Sequence, residues 1–158
     1  MTASVRPAAA APSIRSVRIL ALPMVILLAV EFLLGMALNL FVAVGNGSAV
    51  AVLSSNPVLV AHVVVALLLL GLSGRAVVGS FRYPVRSLRV GAALALVSSV
   101  AATLAGSSFT FGGQNGWASY GMSVAFLGVL MGAFLLLGPV ARAEAATPLP
   151  GRSEEVRS

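Results

Sequence analysis

The sequence predicts an all-α protein: a bundle of four transmembrane helices running up-down-up-down, with both termini in the cytoplasm. Three observations carry this expectation. Of 158 residues, 59% are hydrophobic and 9% are charged, more apolar side chain than a soluble domain of this length can hide. The apolar residues fall into four long runs separated by short clusters of Gly, Asn, Pro or Arg. All ten arginines lie in the first tail, the middle loop or the last tail, or at the ends of the runs beside them, while the two other loops carry no charge. Cytoplasmic loops collect arginine and translocated loops do not.

Residues 1–14 are rich in Ala, Pro and Ser and lack periodicity, which predicts a disordered cytoplasmic tail. Residues 15–142 form the expected membrane domain. Its first span, about 19–44, would be roughly 39 Å long at 1.5 Å per residue. That exceeds a hydrocarbon core of ~30 Å, so tilt or fraying is expected. The run is also too long for a cleavable signal segment and reads as a retained helix. Pro23 falls in its first turns, where a missing N–H is tolerated. Gly45-Asn46-Gly47-Ser48 breaks the run, and Ala49 to Leu53 follow in an outer loop suited to the interface.

The second span, about 57–78, opens with Asn56 as N-cap and Pro57 at the first helical position. Arg82, Arg86 and Arg89 mark the inner loop. The third span is about 90–105, with Gly106, Ser107 and Ser108 softening its outer end. The fourth is about 117–138, where Pro139 ends or kinks it. Residues 143–158 are expected to form a second disordered cytoplasmic tail. Phe109, Phe111, Trp117 and Tyr120 suit an outer aromatic belt, with Phe81 and Tyr83 at the inner boundary.

The polar residues inside the spans are the functional candidates: Glu31, Asn39, His62, Ser73 and Arg75. Glu31 lies near the middle of the first run, where an ionised carboxylate is costly. It should therefore be neutral, paired or facing a wet cavity. Gly35 and Asn39 continue its helical face at i+4 and i+8, so this stripe should face the bundle interior. Counting residues inward from the outer boundaries puts Asn39 at the depth of His62 and Glu31 at the depth of Gly71 to Ser73. A His62–Asn39 hydrogen bond is then expected, and direct Glu31–His62 contact is not. Arg75 either reaches up to Glu31 or snorkels to the cytoplasmic surface. The candidates form either one polar track or separate pairs that satisfy single neighbours.

Small residues Gly35, Gly71, Ser99, Gly106, Gly121, Gly128 and Gly132 are read as helix-packing positions. Gly128 and Gly132 form a G-x-x-x-G, which lets helices approach closely where lipid provides no hydrophobic drive. No catalytic constellation or metal motif appears, so no enzyme activity, metal or cofactor is expected. With no cysteine and one histidine, thiolate sites and bis-histidine haem are unavailable. His62 with Met122 is the remaining haem geometry, and Met as bundle filler is the simpler reading.

Glu31-Phe32-Leu33-Leu34-Gly35-Met36 with Asn39-Leu40, then Asn56-Pro57 with His62, then Ser108-Phe109 with Gly112-Gly113-Gln114, resemble a group of uncharacterised small four-helix membrane proteins of high-GC bacteria. The resemblance covers about residues 19–138. It implies fold and location, and no chemistry, because that group has no established activity. The leading expectation is a small, multi-pass inner-membrane protein without catalytic activity, acting as a structural or accessory subunit or in contact with lipid. Proton-linked transport of a small solute through Glu31 is the alternative, and a haem or redox role the third. The net charge of +6 sits beside apolar runs. It suits anionic lipids at the cytoplasmic face, not nucleic acid. A second copy or another membrane protein would be the macromolecular partner.

Overall fold

The computed structural model describes residues 15–42 and 48–145. The segment around Gly45 and both expected tails, apart from 143–145, lie outside the described residues. Among the described residues there are five helices and no strand: α1 (Arg15–Phe41), α2 (Ala49–Ser55), α3 (Pro57–Ser80), α4 (Arg86–Phe111) and α5 (Gly116–Ala145). All but α2 are long and apolar enough to cross a membrane. Their outer surface is apolar too: Leu33, Leu67, Val97, Leu104 and Leu127 are all exposed. Such a surface is stable only against lipid or further protein. The chain is a small membrane protein with four candidate spanning helices.

The long helices close a ring in which α1 packs on α3 and α5, and α4 packs on α3 and α5. Ala21, Met24, Ala76, Leu88, Ala92, Ala95 and Leu136 bring all four into one core cluster. Leu28, Leu69 and Val129 form a second cluster, with Phe126 packed against it. Leu38, Val52 and Leu59 form a third, which docks α2 on α1 and α3.

The α4–α5 seam is the closest approach, and small residues allow it. A Cβ on Gly132 would lie 2.7 Å from the Gly91 carbonyl oxygen and 2.8 Å from the Ala95 amide nitrogen. Towards the other end of the seam, a Cβ on Gly121 would meet Ala105 at 3.5 Å. Within the G-x-x-x-G, Gly128 faces Ser98, and Gly132 faces Gly91 and Ala95. Gly71 lies outside this scheme: it is exposed and has no neighbour within 4 Å of an added Cβ. Its expected packing role is not realised.

Helix ends depart from expectation for local reasons. α1 stops at Phe41, short of the expected Val44. α4 runs through Gly106-Ser107-Ser108 to Phe111. Its hydroxyls hydrogen-bond back one turn, Thr103 Oγ1 to the Ser99 carbonyl and Ser107 Oγ to the Thr103 carbonyl, both at 2.9 Å. These bonds satisfy the hydroxyls within α4, at the small cost to the helix that such back-bonding carries. Phe109 is buried and anchors the last turn instead of joining the outer belt. Trp117 and Tyr120 are exposed as expected and stack edge to face at 6.4 Å. α5 continues past Pro139 to Ala145. Asn56 does cap α3, its side chain accepting from the Val58 amide at 2.8 Å.

The short loop between α4 and α5 ties the bundle end together. Gly113 and Gln114 both adopt positive φ, 77° and 57°. The Gln114 amide nitrogen donates to the Phe109 carbonyl at 3.0 Å and closes the helix end. The Gln114 side chain then donates through Nε2 to the Val42 carbonyl at 2.8 Å, just past the end of α1. That carbonyl has no intrahelical partner of its own.

Candidate functional site

Glu31 and His62 meet directly. Glu31 Oε1 lies 3.2 Å from His62 Nδ1, and both side chains are largely enclosed, at 15% and 18% exposure. This corrects the expectation that the two residues sit at different depths. The reason is helix register. Leu38 shares a cluster with Leu59, and Leu28 with Leu69, which puts Glu31 opposite Ala66, one turn from His62 on the same face. Gly35 completes the contact: an added Cβ there would touch His62 Cε1 at 3.4 Å, so the glycine makes room for the ring.

The two groups are at ion-pair distance without hydrogen-bond alignment. Glu31 Oε2 and His62 Nδ1 are enclosed and have no hydrogen-bond partner. His62 Nε2 is not enclosed in this way, and the ring makes no other hydrogen bond. The ring faces Glu31 across the α1–α3 interface.

The other candidates separate from this pair. Asn39 is exposed and makes no hydrogen bond to His62. Ser73 is fully buried. It donates to the Leu69 carbonyl at 2.8 Å and meets Ser99 Oγ at 3.1 Å, so it binds α3 to α4. Arg75 is exposed, and the ion pair of Glu31 goes to His62 instead. No single polar track forms. Among the described residues there is also no cluster of metal-ligating side chains.

Glu31 and His62 line a cavity of about 500 Å³ between the four long helices. That volume lies in the range that accommodates a small organic ligand. The cavity exists because its facing walls carry small residues: Gly35 on α1, Ala66 on α3, and Ala102 and Gly106 on α4. Leu28, Leu69 and Val129 line it from one core cluster. Phe32, Met36 and Asn39 on α1, Leu67 on α3, Ser107 and Phe111 on α4, and Ser123 and Leu127 on α5 are exposed as well as lining it, so the cavity opens to the surface of the bundle. His62 and Met122 both line the space. The polar lining residues that sequence reasoning missed are Thr103, Ser107, Thr110, Ser119 and Ser123. An i, i+4 pattern of small and hydroxyl residues through Ser99, Thr103 and Ser107 was the available signal. Comparison with known protein families, curated proteins and solved structures finds no match.

Proposed function

We propose that this is a non-catalytic, multi-pass inner-membrane protein that holds a lipid-like small molecule between its helices. The observation that carries the reading is the cavity of about 500 Å³ between the four long helices, with a mainly apolar lining and a few polar groups. An apolar pocket with a few convergent polar groups is the general form of a small-molecule site. Apolar walls within a bundle of four candidate membrane spans suit a ligand that partitions into the bilayer. In this reading the bundle runs up-down-up-down with both termini cytoplasmic, and the flanking arginines contact anionic headgroups. The resemblance to small four-helix membrane proteins of high-GC bacteria is consistent with this location.

The test is retention of ligand. Protein released from nanodiscs into a native mass spectrometer should carry one bound amphiphile. Ala102→Phe, which fills the cavity wall, should lose it while keeping the thermal unfolding midpoint. Equal retention by both proteins would sink the reading.

Proton-linked transport of a small solute is the second reading, and the Glu31–His62 pair favours it. Intramembrane carboxylate and imidazole groups commonly carry protons. A pH-driven uptake lost in Glu31→Gln would support that reading over passive binding.

A further inference from the structure

We propose that the cavity selects an amphiphile with a primary-amine head and a single apolar chain, an inference that rests on the ligand-binding reading above. The argument is an inventory of hydrogens. Each hydroxyl has one hydrogen to give. Ser73 gives its own to the Leu69 carbonyl, so Ser99 Oγ must donate to Ser73. Thr103 and Ser107 spend theirs on carbonyls of their own helix, as does Ser123, which donates to the Ser119 carbonyl at 3.1 Å.

Four hydroxyls that line the cavity thus present only lone pairs to it. Glu31 adds a carboxylate whose Oε2 has no donor. The remaining side-chain donors on the lining are Asn39, Thr110 and Ser119, and Asn39 is exposed.

The enclosed acceptor that lacks a donor, Glu31 Oε2, is completed by a ligand that brings hydrogens. An ammonium brings three and a positive charge. Glu31 is the only charged residue type on the lining besides His62, and no arginine lines the cavity. A phosphate or carboxylate head would enter unmatched, at the desolvation cost of an unpaired anion. A phospholipid head is therefore disfavoured. The apolar remainder of the lining suits the chain. On entry the carboxylate turns towards the ammonium, and Oε2 gains the donor it lacks.

The test uses the single histidine as its own reporter. Protein labelled with ¹³C at histidine Cε1, in nanodiscs, is titrated with decylamine, decyltrimethylammonium and decanoate while the His62 resonance is followed. Decylamine should shift it saturably and bind about tenfold tighter than the other two, the scale of one charge-assisted hydrogen bond. Glu31→Gln should bring decylamine down to the level of decyltrimethylammonium. If decyltrimethylammonium matches decylamine, charge alone suffices and the hydrogen-donor selection is wrong. If decanoate matches or exceeds it, the ligand class is wrong while the cavity still binds amphiphiles. If none of the three shifts His62 saturably, both the selection and the ligand-binding reading fall.

Discussion

Glu31 Oε1 and His62 Nδ1 stand 3.2 Å apart across the α1–α3 interface, and both line the cavity between the long helices. Each group removes a reason for the other to be unfavourable inside a membrane. A lone carboxylate or a lone imidazole would be a buried polar group without a match, whereas a facing pair shares the desolvation cost. The coupling should be measurable. A double-mutant cycle with Glu31→Gln and His62→Gln should give an interaction of about 0.6–1.7 kcal/mol, the average and upper end for intramembrane hydrogen-bonded pairs. Arg75→Gln should add to Glu31→Gln within about 0.5 kcal/mol, as for independent sites. Thermal stability in detergent reads both. Coupling to Arg75 in place of His62 would refute the pairing.

Gly132 should be the least replaceable glycine of the seam. Its Cβ would press on backbone atoms of Gly91 and Ala95, and backbone cannot rotate aside. Gly132→Ala should cost about 1–3 kcal/mol, the range for overpacking. Gly128→Ala meets the Ser98 hydroxyl, which can turn, and the Ser98 Cβ at 2.9 Å, which cannot, so it should also destabilise, but less, because no backbone atom is pressed. Gly121→Ala finds ordinary contact distance and should be nearly neutral. Unfolding midpoints in one detergent rank the three, and a neutral Gly132→Ala would contradict the close approach.

Gln114 should act as a clasp between the α4–α5 loop and the end of α1. Gln114→Ala loses the bond to the Val42 carbonyl and should cost about 1 kcal/mol. Gln114→Gly loses the same bond but relieves the positive φ, so it should be the milder change. Hydrogen exchange at the end of α1 should speed up in both. Unchanged exchange there would show that the clasp carries no stability.

Topology follows from the arginines. Reporter fusions at Gly47 and Gly113 should read outside, and a fusion at Pro84 inside. A reversed reading at any one position would break the proposed orientation, since the positive-inside bias is the only basis for it.

The purified protein should be colourless. One histidine per chain cannot supply bis-histidine haem within the bundle. A Soret band that disappears in His62→Ala would reopen the redox reading and make Met122 the second ligand to test.

The sequence by itself determined the helical class, the four apolar spans and the residues worth watching. Composition and hydropathy are local properties, and the bilayer demands long apolar helices whatever they pack against. The cap at Asn56-Pro57 was equally legible, because capping is settled within one turn. Pairing was not. Which residue faces Glu31 depends on how α1 packs on α3, and the clusters that join Leu38 to Leu59 and Leu28 to Leu69 set it opposite Ala66, one turn from His62. The small residues were legible as small, but not as seam or cavity. Gly128 and Gly132 bring two helices together, whereas Gly35 and Gly106 help to leave space open between them. Sequence spacing describes one helix at a time. Whether a missing side chain becomes a contact or a void is decided by the helix opposite, and that is a property of the assembled ring.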